Sequence, residues 1–197
     1  MEIQGTNDEE LVRRFYQADE EALVVIFKRH KDGIFNFALR LVGNRADAED
    51  AVSHTFMMLC EKRYTIKPGA SFKTWGYTVA RNICLSKLRN RNRFYSFWSP
   101  KNDPDHDGPI DVIDPKETAR DQLDQKETMG LIQKAIHKLP EEQKEALLLR
   151  EYHDFSYEEI SQVLNCSLDK VKVLIFRARS RLKYLLPPVL LEDGGVK

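Results

Sequence analysis

SYEEISQVLNCSLDKVKVLIFRARSRLKYL, residues 156–185, is the stretch on which the fold turns. Ser156 to Glu159 has the S-x-x-E form of a capping box, in which Ser and Glu satisfy each other's backbone donors at a helix start. A short helix to Leu164 follows. Asn165-Cys166-Ser167 then supplies a tight turn: Asn tolerates the left-handed conformation, Cys166 can pack inward, and Ser167 can cap the next helix. Short helix, three-residue turn and longer basic helix form the helix-turn-helix pattern, whose second helix enters the DNA major groove.

On the second helix, Val171, Ile175, Ala178, Leu182 and Leu185 lie on one stripe and are expected to face the core. Lys172, Val173, Phe176 and Arg177 then point away from it. A solvated face rarely holds a Phe. In a major groove such apolar groups would contact thymine methyls, while Arg177 or Lys172 would reach guanine or a phosphate. Packing against a neighbouring subunit is the alternative at this point.

Outward from that motif, Leu139-Pro140-Glu141-Glu142 opens another helix, with Pro at its first position and acids in its first turn. Upstream, Ser99 to about Asp124 holds Pro100, Pro104, Pro109, Pro115 and the acidic run Asp103 to Asp107, and reads as an extended linker. The expected division is 7–95, a linker over 96–124, 125–187 and a tail over 188–197. No stretch alternates with period two, so the fold class is all-α, two small helical domains.

In the first domain helices are predicted near 8–17, 19–42, 46–63 and 71–92. Gly43-Asn44 ends the second, and Lys67 to Ala70 forms a loop before Ser71, a cap for the fourth. Phe72, Trp75, Val79 and Ile83 should bury one stripe of that helix, with Tyr77, Arg81 and Cys84 opposite. Its charged residues from Lys73 to Arg93 are all basic, as are those from Lys170 to Lys183. Two such stretches are candidate phosphate-binding surfaces. Aromatics interleave with the first set, Tyr77 above all, which suits stacking on unpaired bases at about 1–3 kcal/mol each. On the third helix Ala48, Val52, Phe56 and Leu59 form a core face. Asp47, Glu49, Asp50, His54, Met57, Met58 and Glu61 decorate the rest. Acids at a helix start are ordinary stabilisation, but the Met pair hints at a protein-binding surface.

Composition fits an ordinary soluble chain: 197 residues, 42% hydrophobic, 31% charged, only 9 Gly and a net charge of +0. No apolar run reaches the roughly 20 residues that span a bilayer, and the acidic N-terminus is unlike a secretory signal, so cytoplasmic residence is the expectation. Cys60, Cys84 and Cys166 have no metal-cage spacing and read as buried small hydrophobes. The five His (His30, His54, His106, His137 and His153) are scattered singly. No P-loop, G-x-S-x-G or H-E-x-x-H motif occurs, so no catalysis, cofactor, metal or small-molecule substrate is expected.

The set A-D-A-E-D-A-V-S-H-T-F (46–56), S-F-K-T-W-G-Y-T-V-A-R-N (71–82), L-P-E-E-Q-K-E-A-L-L-L-R (139–150) and V-K-V-L-I-F-R-A-R-S-R-L (171–182) resembles a bacterial extracytoplasmic-function sigma factor of the sigma-70 family. The resemblance implies a non-enzymatic subunit that directs core RNA polymerase to promoter DNA, with sigma region 2 before the linker and region 4 after it. It implies that Asp47, Glu49, Asp50, Ser53, His54 and Met57 face the coiled coil of the polymerase. Ile66 to Ser71, with Tyr77, Thr78 and Asn82, would capture a flipped base of the minus-ten element, and Arg81, Lys87 and Arg89 would hold the strand. Ser167, Lys170, Lys172, Val173, Phe176, Arg177 and Arg179 would read the minus-thirty-five element. The acidic linker would thread the polymerase channels, and an anti-sigma factor would hold the free chain inactive, in some cases at the inner face of the membrane. Ser53 and His54 stand where the family usually has Gln and an acid, and Val173 and Leu174 where it commonly has Ser or Thr and then Arg. Promoter choice is therefore not transferable. A stand-alone helix-turn-helix regulator and a protein-binding adaptor are the competing readings.

Overall fold

The computed structural model describes residues 5–61, 66, 71–98 and 121–187, with the backbone alone for 92, 94–98 and 121–127. Short polar side chains start most of its helices. Asn7, Asp19 and Asn44 accept the backbone N–H three residues on and so open α1 (Asp8–Tyr16), α2 (Glu20–Val42) and α3 (Arg45–Cys60). Gly43, at φ 78°, ends α2 in the left-handed conformation that a residue without Cβ adopts most easily. Ser71 accepts from the Thr74 N–H at the start of α4 (Phe72–Trp98). Then follow α5 (Asp121–His137), α6 (Glu141–His153), α7 (Tyr157–Leu164) and α8 (Leu168–Leu185). Among the described residues there is no strand, and no helix is long and apolar enough to cross a membrane.

The chain divides into two compact units, α1–α4 and α5–α8. In the first, α2 packs on α1, α3 and α4, and α3 also packs on α4. Leu11, Ile26, Ile34, Phe37, Leu41, Leu59 and Phe72 are its largest fully buried side chains. In the second, α6, α7 and α8 pack pairwise around Leu148, Leu149, Phe155, Ile160 and Ile175.

Several expectations need correction. Helix α4 runs on to Trp98 and α5 begins at Asp121, so helix enters the expected linker from both sides. No Gly or Pro intervenes between Tyr77 and Pro100, and Gln, Lys and Glu in α5 are good helix formers. Residues 99–120 and 188–197, the body of the linker and the tail, lie outside the described residues, as does His106. Helix α3 stops at Cys60, and Pro140 is the cap of α6 rather than its first helical residue. Cys84 is buried, but Cys60 is exposed and Cys166 is intermediate. The stripe on α4 is wider than one face, because α2 and α3 pack on it together. Tyr77 and Cys84 are therefore buried with Phe72 and Val79, while Trp75 and Ile83 are half-buried. At the end of α8 Leu185 is exposed, and Leu186, where the backbone turns extended, is buried in its stead.

Candidate protein and nucleic-acid interfaces

The outer face of α3 carries Glu49, Asp50, Ser53, His54 and Met57, all exposed. Asp47, at the helix start, is half-buried and fixed twice by Asn44: its N–H donates to Asn44 Oδ1 at 2.8 Å, and Asn44 Nδ2 donates to its Oδ2 at 2.6 Å. Met57 is 55% exposed, Met58 is half-buried, and Phe56 behind them meets Phe27 of α2 edge to face at 4.8 Å. Phe27 and its neighbour Val24 are exposed as well. Sequence reasoning missed these two. The signal was there: Leu23 to Phe27 is an unbroken apolar run, more than one helix face can bury.

The residues expected at the minus-ten strand separate into distinct environments. Asn82 and Arg89 are exposed, Arg81 and Ile66 are half-buried, and residues 67–70 of the expected capture loop lie outside the described residues. The hydroxyls of Ser71 and Thr78 serve the helix itself. Ser71 caps α4, and Thr78 Oγ1 donates to the Thr74 carbonyl at 2.8 Å. Tyr77 is only 4% exposed, with its ring centroid 5.3 Å from that of Phe37, and burial pushes its hydroxyl far above the ordinary phenol range. It is a core residue and has no face to offer an unpaired base.

Lys87 is the second correction. Its ammonium donates to Asp47 Oδ1 at 2.8 Å and to Asp50 Oδ2 at 2.9 Å, which joins two surfaces the sequence kept apart. Burial opposes ionisation of Asp47, but hydrogen bonds from Asn44 and Lys87 outweigh it and hold the carboxyl below its ordinary value. Bonds to Asp47 and Asp50 hold Lys87 above its own.

In the second unit the capping box is complete: Ser156 N–H donates to Glu159 Oε2 at 2.7 Å, and Glu159 N–H to Ser156 Oγ at 3.2 Å. Arg150 holds the preceding turn, donating to the Phe155 carbonyl at 2.9 Å with its guanidinium over the Tyr157 ring. Asn165, at φ 50°, makes the left-handed bend between α7 and α8, and Ser167 accepts the Lys170 N–H to cap α8. The outer face of α8 presents Lys172, Val173, Phe176 and Arg177, all exposed, with Phe176 at 71%. This face is not acid-free in space. Lys170 pairs with Glu142 at 2.7 Å, Arg179 with Glu151 at 2.6 Å and Lys172 with Asp169 at 3.1 Å.

Residues 26–94 match the family Sigma-70 region 2, and residues 129–182 match Sigma-70, region 4. The ECF RNA polymerase sigma factor EcfG of Rhodopseudomonas palustris is 31% identical over 162 residues, which cover 81% of this chain and 82% of that one. The RNA polymerase sigma-H factor of Pseudomonas aeruginosa is 28% identical, with 94% and 96% covered. Among solved structures, the sigma factor RpoE of Bartonella quintana in complex with the anti-sigma factor NepR aligns with a TM-score of 0.60 at 26% identity, over 81% of this chain and 92% of that one. CnrH, in complex with the cytosolic domain of CnrY, shares the fold at 20% identity, with a TM-score of 0.64 and 95% and 99% covered.

Proposed function

The chain belongs to the extracytoplasmic-function group of the sigma-70 family, and on that premise we infer that it binds core RNA polymerase and directs promoter recognition, melting and transcription initiation. It has no chemistry of its own in this role. It works in the cytoplasm, where an anti-sigma factor holds the free chain, as one does the sigma factor of Bartonella quintana.

Three surfaces divide the work, on domains that we place at 7–95 and 125–187 with a linker of 96–124 between them. The exposed face of α3, from Glu49 to Met57, meets the polymerase, and Val24 and Phe27 extend its apolar part. The α4 surface with Arg81, Asn82 and Arg89 holds the minus-ten strand, with the segment from Ile66 to Ser71 as the base-capturing loop. The outer face of α8 reads the minus-thirty-five element. The observation that carries this reading is Phe176, 71% exposed between Val173 and Arg177 on a capped, well-supported helix. Its apolar ring suits a groove lined with thymine methyls, and Arg177, with no ion pair among the described residues, suits guanine or phosphate.

In vitro transcription with core polymerase on a promoter library tests the assignment. Initiation at a defined subset of promoters, dependent on both proteins, is the expected result. Tight, promoter-specific duplex binding by the chain alone, with no effect on initiation, would identify a stand-alone regulator in its place. For the α3 surface, Asp50→Ala should weaken binding to core polymerase, and unchanged affinity would remove that assignment.

A further inference from the structure

Lys87 stands where the two working surfaces of the first unit meet. It lies 40 residues from Asp47 and 37 from Asp50 in sequence, yet its Nζ bonds both carboxylates at 2.8 and 2.9 Å. Asp47 is held in place by Asn44, so it forms the fixed side of this cage. Asp50, with 61% of its side chain exposed, forms the open side. One ammonium between two carboxylates leaves a local charge of minus one, which repels a phosphate. In this arrangement Lys87 cannot serve the DNA strand, although Arg89 on the same helix is exposed and free to.

We propose that Lys87 is a shared cation coupling the two surfaces: a basic side chain of the polymerase that takes Asp50 and Asp47 releases Lys87 to a phosphate of the melted promoter strand. The inference rests on α3 being the polymerase contact. Lysine suits the role, because its ammonium is a point charge on a flexible four-carbon stem and can change partners without the strict geometry a guanidinium requires. The pairs are partly solvent-exposed, so the exchange is cheap enough to be driven by a new ion pair on the polymerase side. Linkage makes the effect reciprocal: a strand that holds Lys87 strengthens the grip of the α3 acids on the polymerase. Lys87 thereby acts as a positioning residue for the acids in the free chain and as a strand contact only in the assembled enzyme.

The test uses the full chain, free and assembled with core polymerase, and a fluorescent single-stranded DNA of random sequence titrated across a range of salt concentrations. In the free chain Lys87→Met should leave DNA affinity and its salt slope unchanged. Asp50→Asn, and more fully Asp47→Asn with Asp50→Asn, should tighten binding by about two- to fivefold, the range set by an exposed ion pair. The salt slope should steepen by about 0.7, the value for one added phosphate contact on a single strand. Adding Lys87→Met to either variant should erase that gain. In the assembled enzyme Lys87→Met should weaken DNA binding by a similar factor. The proposal is overturned by a gain that survives Lys87→Met, which would reflect bulk charge, or by a Lys87→Met effect of equal size with and without polymerase. Core affinity of the Asp50→Asn chain separates the two levels. If it is unchanged, the polymerase-contact reading fails and takes the release step with it. If it falls while the free-chain gain is absent, only the shared cation fails.

Discussion

A methyl group on Gly33 of α2 would stand 2.6 Å from the hydroxyl oxygen of Tyr77 on α4. The Tyr77 ring, 4% exposed and packed against Phe37, has little room to retreat. Two effects of Gly33→Ala therefore compete. Alanine favours a helix interior over glycine by about 0.5–1 kcal/mol, and overpacking a filled core costs about 1–3 kcal/mol. Overpacking should win, lowering stability by about 1 kcal/mol in urea denaturation. With Tyr77→Phe the nearest ring carbon would lie at an ordinary 3.8 Å, and Gly33→Ala should become stabilising relative to that background. The same sign in both backgrounds would show that the hydroxyl does not limit the packing.

The reciprocal bonds between Ser156 and Glu159 begin α7, which packs on α8. Ser156→Ala leaves a backbone donor without its partner and should cost about 1 kcal/mol, whereas Ser156→Gly should cost only a few tenths. Urea midpoints of the two variants, followed by circular dichroism, check the order. Equal losses would mean that the cap contributes nothing beyond the shape of the turn.

Asp8 ties the start of α1 to α2 through His30 Nε2 at 2.6 Å and Arg29 Nη1 at 3.0 Å. The hydrogen bond with His30, aided by the charges of His30 and Arg29, outweighs burial and holds the carboxyl below its ordinary 3.8. A depressed carboxyl contributes stability that is fully present above its unfolded value and is lost as pH falls through the folded one. Asp8→Asn should therefore be less stable than the parent at neutral pH, and the gap should close as pH is lowered past 3.8. A gap that stays constant with pH would trace the loss to something other than this ionised group.

Local features carried through from sequence to structure, and features made by packing did not. The α7–α8 motif was legible because caps, a left-handed Asn165 and helical periodicity all act within a few residues. Periodicity on α4 foretold one buried stripe, but a helix packed by both α2 and α3 buries more, and Tyr77 went into the core. A run of cations in sequence likewise says nothing about acids arriving from elsewhere. Glu142 and Glu151 reach α8 across 28 positions, and Asp47 and Asp50 reach Lys87 across 40 and 37. The exposed Val173 and Phe176 were read correctly, since the faces of a single amphipathic helix follow from its own spacing.

Phe176 makes promoter choice testable apart from stability. At 71% exposure its truncation to Ala should alter folding by no more than about 0.5 kcal/mol. A lost base contact costs about 1–3 kcal/mol at the position it reads. Holoenzyme containing Phe176→Ala, assayed on a library varied across the minus-thirty-five element, should lose discrimination at one or two adjacent positions. An unaltered ranking of promoters would refute direct readout by this side chain.

Arg179 donates to a single oxygen of Glu151 from Nε at 3.1 Å and Nη2 at 2.6 Å, with both side chains 34% exposed. The carboxylate can act on DNA binding in two opposing ways: it orients the guanidinium, and it subtracts a charge from the face that meets phosphates. An exposed pair is worth about 0–1 kcal/mol, so the orienting effect is small. A unit charge some 7 Å from a phosphate in water acts with roughly 0.6 kcal/mol before salt screening, and other phosphates add to it. Repulsion should therefore win. Glu151→Gln should tighten duplex binding roughly twofold at low salt, with the gain fading as salt rises, while Arg179→Ala should weaken it and flatten the salt slope by about 0.9. If Glu151→Gln instead weakens binding as much as Arg179→Ala does, the carboxylate is holding the arginine in place for DNA, and its bond to α6 belongs to the reading of the promoter.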